Sequence, residues 1–258
     1  MATVIFHIGL PKTATTTLQN YLLHELNASE TINFIGRKGE SGDKDYYNHF
    51  SEILWAIITN DDQTFEQNSA QYLEFINQHI VDDRINVVSE EVLSISYGEF
   101  NVMQNLQRIH DLFQEHDVKI LFALRKQEEI IYSFFIEFLN HRLLVDPDNN
   151  ILQNYIANGL SQGENGHFLM FHYDVILSKI AELYGEDNLY VKLFEDVSKK
   201  PERYAEKLEK LPNIDVSEVT KHLHEKKPNI NRTSIIRRLS TRVLEYSKIC
   251  IFHLSNLF

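Results

Sequence analysis

Residues 3–18, TVIFHIGLPKTATTTL, limit what this chain can fold into more than any other stretch. The apolar run Val4-Ile5-Phe6-His7-Ile8 reads as a buried strand, and Gly9 and Pro11 break it. A single lysine, Lys12, follows, then the small hydroxyl residues Thr13, Thr15, Thr16 and Thr17. Leu18, Tyr21, Leu22 and Leu26 recur at helical spacing, so a helix is expected to start near the threonines. Strand, tight loop and helix N-terminus form a phosphate-binding geometry. The free N–H groups of the first helical turn point at the anion, and the helix dipole favours its charge. The same pattern also describes a capped, buried helix with no ligand.

The ordinary nucleotide loop, G-x-x-x-x-G-K-[ST], does not fit. Counted from Gly9, its second glycine falls on Ala14 and its lysine on Thr15, while the lysine present lies earlier, at Lys12. Pro11-Lys12-Thr13-Ala14-Thr15-Thr16 instead resembles the 5′-phosphosulfate loop, P-K-[ST]-G-T-T, of sulfotransferases that use PAPS (3′-phosphoadenosine 5′-phosphosulfate). Ala14 departs from that family's usual glycine. It is acceptable if the position is helical and costly if it needs a positive φ.

A second motif follows the clearest strand of the chain, Val118 to Leu124. Arg125 comes at its end, and Ser133 eight residues later in the next helix. Eight residues span just over two helical turns, so the guanidinium and the hydroxyl lie on one side, where paired N–H donors and a hydroxyl suit a phosphate. The pair resembles the 3′-phosphate motif of the same family, R-x-P-x-x-x-x-x-S, with Gln127 in place of the proline.

Strands are expected at 31–35, 85–88, 118–124 and 188–194 besides the first, and helices at 49–58, 65–80, 100–113, 127–143, 150–160, 171–184, 201–211 and in the tail from Thr233. Strands alternating with helices predict an α/β protein with a mainly parallel central sheet flanked by helices. The resemblance implies a three-layer, P-loop-like version of it. Ligands of such sheets bind at the carboxyl ends of the strands, where Lys12 and its threonines, Glu90 with Glu91, and Arg125 all fall. At 258 residues the chain fits one domain, 1–258, with a basic loop and helix at about 221–258.

Its net charge of −12 argues against general nucleic-acid binding. One cysteine, Cys250, permits no internal disulfide and suits a reducing compartment. Residues 3–10 are too short for a signal-peptide core or a membrane span, so a soluble cytoplasmic protein is expected.

The resemblance implies sulfuryl transfer from PAPS, without a metal, to a hydroxyl or amine of a carbohydrate-like acceptor. It gives Lys12 the bridging oxygen of the leaving group, and Thr13, Ala14, Thr15, Thr16 and Thr17 the 5′-phosphate. Arg125 and Ser133 take the 3′-phosphate, and Lys226 and Lys227 a closing basic loop. A base must take the acceptor proton. Glu90 is preferred, as base and acceptor contact, with Glu91 close behind, although one of the two could instead cap the following helix. His49, after the polar loop 36–48, is an alternative base that could touch the acceptor; His7, inside a strand, reads better as a packed core residue. From Lys221 to Arg242 seven basic residues face one acid, Glu225. The tail helix is expected to pack on the domain, with contact to anionic lipid as the other option. Two rival readings stay open: a nucleotide or small-molecule kinase, and a non-catalytic nucleotide-binding protein.

Overall fold

The computed structural model describes residues 1–13, 15, 18–23, 27, 30, 32–36, 53–96, 101–141, 151–163 and 166–199. Ala14, Thr16, Thr17, His49, Lys226 and Lys227 lie outside them, as do the helix expected at 201–211 and the basic segment and helix at 221–258.

Five strands, β1 (Thr3–Gly9), β2 (Ile32–Gly36), β3 (Ile85–Ser89), β4 (Asp117–Leu124) and β5 (Leu189–Leu193), form one sheet in the order β2-β3-β1-β4-β5. Every pairing is parallel. β1 and β3 are buried along nearly their whole length, because a parallel sheet is covered on both faces. The helices are α1 (Asp62–His79), α2 (Val102–Phe113), α3 (Gln127–His141), α4 (Leu152–Ser161), α5 (Tyr173–Tyr184) and α6 (Phe194–Lys199). Residues 53–59 are helical as well.

Side-chain alternation along β1 divides the layers. Val4, Phe6 and Ile8 join Ile120, Phe122 and Leu124 in a core with Leu54, Ile57, Tyr72, Ile76, Leu106, Ile109, Ile176 and Ile180, residues of 53–59, α1, α2 and α5. The ring of Phe113 meets Phe6 edge-on at 4.7 Å. On the alternate side, His7 and Ser89 meet Gln19 of the first helical segment, Leu18–Leu23. Helices therefore cover both faces. A second apolar cluster, with Ile130, Phe134, Phe138, Tyr155 and Phe168, gathers around Leu10 just past the end of β1.

Element boundaries differ from the periodic pattern where caps intervene. α1 starts before Phe65 because Asp61 accepts the N–H of Thr64 at 2.8 Å. α2 starts at Val102 because Asn101 accepts the N–H of Met103 at 2.9 Å. Leu18–Leu23 is wound as a π-helix, wider than the α-helix its spacing suggested. The helix expected from residue 171 starts at Tyr173, and Phe171 ends a separate 3₁₀ turn, His167–Phe171.

The strand order fixes where a ligand can sit. β1 sends the chain toward the β2 edge, whereas β2, β3 and β4 each send it toward the β5 edge. Right-handed crossovers then place the first connection on one face and the other three on the opposite face. A crevice opens beside β1, at the carboxyl ends of the strands.

The amino ends are closed by Asn86, which is fully buried on β3. Its amide donates to the carbonyls of Val81 at 2.9 Å and Thr3 at 3.2 Å, and its oxygen accepts from the Val81 N–H and from Asn33. Asn86→Ala strands several of these groups without water. Urea unfolding should register a loss of at least about 2 kcal/mol.

Candidate active site

Three chain exits meet at the carboxyl rim, after β1, β3 and β4. Register holds them level: His7 lies opposite Ser89 on one side of β1, and Gly9 opposite Ala123 on the other. The loop after β1 folds tightly onto the strand end. A Cβ at Gly9 would stand 2.4 Å from Thr15 Cγ2 and 3.0 Å from Thr13 Oγ1, so residue 9 has room only for glycine. The Thr13 hydroxyl donates to the Leu10 carbonyl at 2.6 Å, closing the turn. Within it Lys12 adopts φ 71°, a left-handed conformation that costs a residue with a Cβ about 1 kcal/mol.

The exit from β3 is stitched to this loop. The Thr15 hydroxyl donates to the carboxylate of Glu91, and the Ser94 hydroxyl donates to the Gly9 carbonyl at 3.1 Å. Glu90 donates its backbone N–H to the His7 carbonyl at 3.2 Å. Its carboxylate caps the short 3₁₀ turn Glu91–Ser94, accepting the Val92 N–H at 3.4 Å.

On the other side, Arg125 leaves β4 and reaches the loop directly. Its Nη1 donates to the Lys12 carbonyl at 3.2 Å. Three further contacts orient it. Nη2 pairs with Glu129 Oε2 at 3.2 Å, the guanidinium carbon lies 4.6 Å from the centre of the Phe194 ring, and the Tyr173 hydroxyl donates to the Arg125 carbonyl at 2.7 Å. Burial pushes the Tyr173 phenol far above its usual range, so it remains a donor at every ordinary pH. Lys12 Nζ pairs with Glu137 Oε2 at 2.7 Å. Glu129, Ser133 and Glu137 follow one another at four-residue steps along α3, so Ser133 sits between the two carboxylates on one helix face.

Arg125 is thus bonded to Lys12 and Glu91 to Thr15 across a loop that Thr13 closes, with Ser133 on the adjoining helix face. Glu129, Glu137, Tyr173 and Phe194 escaped the sequence reading. The carboxylates had a signal, since Arg125, Glu129, Ser133 and Glu137 share one i, i+4 row; Tyr173 and Phe194 come from distant parts of the chain and had none. An ammonium and a guanidinium stand on neighbouring exits beside hydroxyls and a helix start, a donor set that suits an anion. Among the described residues, no cluster of three or more His, Cys, Asp or Glu side chains is placed to hold a metal ion. No described helix is long and apolar enough to cross a membrane.

No protein-family model matches the sequence, and no curated protein matches it. Solved structures with a similar course include a sulfotransferase from Alicyclobacillus acidocaldarius, 13% identical, with 83% of this chain and 84% of that one covered at a TM-score of 0.46. A mouse sulfotransferase complexed with PAP is 14% identical, with 86% and 64% covered at 0.47. The sulfotransferase domain from the curacin biosynthetic pathway is 15% identical, with 85% and 77% covered at 0.44. At such identities and scores the likeness is too distant to assign a function.

Behind the loop, His7 packs as a buried core residue with Nδ1 2.7 Å from Ser89 Oγ, and the Gln19 amide donates to the Ser89 hydroxyl and carbonyl. Burial pushes the imidazole down to about 4. Unfolded, it would bind a proton near 6.5. A depressed folded pKa means that its contribution is complete above 6.5 and lost as pH falls toward 4, with a total of about 3 kcal/mol. Urea midpoints measured from pH 7 to pH 4 should therefore fall, and His7→Asn should flatten that part of the profile.

Proposed function

We propose that the chain transfers a sulfuryl group from PAPS to a hydroxyl of a saccharide or glycan precursor. The contact between Arg125 Nη1 and the Lys12 carbonyl carries the reading, because it joins two motifs that lie far apart in sequence. A loop at β1 alone would suit many phosphorylated ligands. A loop bonded to a separate Arg/Ser row suits one phosphorylated at both ends.

In this reading PAPS supplies an activated sulfuryl group on its 5′-phosphate. The new bond forms between the acceptor oxygen and sulfur, and the bond from sulfur to the phosphate oxygen breaks. The acceptor proton passes to a carboxylate, and PAP leaves. Lys12 neutralises charge on the departing oxygen, and the loop threonines and backbone N–H groups hold the 5′-phosphate. Arg125 and Ser133 hold the 3′-phosphate, with Lys226 and Lys227 closing over it. Glu90 and Glu91 are the bases considered. What supports Glu91 is its contact with Thr15 of the loop, against the cap contact that Glu90 makes with Val92. The saccharide acceptor rests on the glutamate-type base and the family resemblance, with His49 as a further acceptor contact.

PAP should protect the fold against heat, and ATP with Mg²⁺ should not. At a hundredfold excess over Kd, stabilisation of about 2.7 kcal/mol corresponds to a rise in Tm of roughly 5–10 °C. The opposite pattern would favour the kinase. Labelled-sulfate transfer from PAPS to a glycan panel should lose roughly 10²–10³-fold in Lys12→Ala with its fold intact. No transfer to any acceptor by the wild type would favour a non-catalytic binding protein.

Once an acceptor is found, the two carboxylates separate. Glu91→Gln should lower kcat by roughly 10²–10⁴-fold. Glu90→Gln should leave most turnover. The reverse result would make Glu90 the base.

A further inference from the structure

Both cations proposed to grip the cofactor already hold carboxylates from a single helix. Glu137 pairs with Lys12 at 2.7 Å and Glu129 with Arg125 at 3.2 Å, one turn to either side of Ser133. The Lys12–Glu137 pair serves no packed core. The Lys12 and Glu137 side chains are 42% and 32% exposed, so water screens their attraction and the pair contributes little to the fold. Yet Lys12 is presented in a left-handed conformation, with its carbonyl held by Arg125.

We propose that Glu137 is an internal counter-ion that competes with the leaving phosphate for Lys12, so that the cofactor enters and its product departs by exchange of the Lys12–Glu137 ion pair. The inference rests on the sulfotransferase reading of the site. A phosphate carries more charge than a carboxylate and offers more acceptor oxygens, so it displaces Glu137 on binding. When PAP dissociates, Glu137 returns to Lys12, and the ammonium is never left without an anion. The carboxylate thus trades affinity for turnover, which matters where product release limits the cycle. Glu137 is a positioning residue here; it acts on Lys12 and makes no bond to the reacting atoms.

Calorimetric titration with PAP tests this without any acceptor. Glu137→Gln is nearly isosteric and should bind PAP about two- to fivefold more tightly, the range expected for removing one exposed competing ion pair. Stopped-flow displacement should place the gain in slower dissociation. Glu128→Gln removes the same charge from α3 and should leave affinity unchanged. In a Lys12→Ala background, Glu137→Gln should have no effect, because its partner is gone. Unchanged or weaker binding by Glu137→Gln overturns the proposal, as does an equal gain in Glu128→Gln or a gain that persists without Lys12. If the wild type does not bind PAP, the sulfotransferase reading itself falls. If it binds and only the Glu137 pattern fails, that reading stands and this inference alone is lost.

Discussion

The parallel pairing of β1 with β3 on one side and β4 on the other is the constraint from which the site follows. It sets three chain exits at one level, so contacts between them need only short reaches: Ser94 to Gly9, Thr15 to Glu91, and Arg125 to the Lys12 carbonyl. Remove the register and each of these residues becomes an ordinary loop residue. The β5 exit extends the same rim, where Phe194 supports the Arg125 guanidinium and the Glu195 carboxylate accepts the Lys126 N–H at 3.0 Å.

Local order was largely readable from the residues. Apolar runs located all five strands, because strands covered on both faces keep such runs even where a buried polar residue such as His7, Asn86 or Lys192 interrupts them. Lys12 and Arg125 stood out because each is a cation directly after such a run. Reading α1 and α2 from apolar spacing alone missed their starts, since Asp61 and Asn101 act through a hydrogen bond and leave no periodic trace. Glu129 and Glu137 were passed over for another reason. On an exposed helix face a carboxylate is unremarkable until the sheet places a lysine opposite it. Tyr173 joins Arg125 across 48 residues, a pairing that only the tertiary fold creates. The threonines beyond Thr15 and the basic tail fall outside the described residues, so the fold adds nothing to their sequence reading.

Electrostatically the rim alternates sign over short distances. The chain carries −12 overall, but at this rim the Arg125 guanidinium is bonded to the backbone of Lys12, whose own ammonium is a second cation. Each is matched by a carboxylate of α3. Behind the loop, His7, Ser89 and Gln19 form a closed buried network, where burial keeps the imidazole neutral and the layer beneath the loop does not change charge near pH 7.

The backbone at Lys12 has an evolutionary corollary. A left-handed φ is a place where a glycine or asparagine would relax the chain, and the lysine occupies it regardless. Selection for thermal robustness alone would therefore push position 12 toward residues with no ammonium. A lineage in which the ammonium at position 12 no longer mattered would drift that way, and would become sturdier as it did.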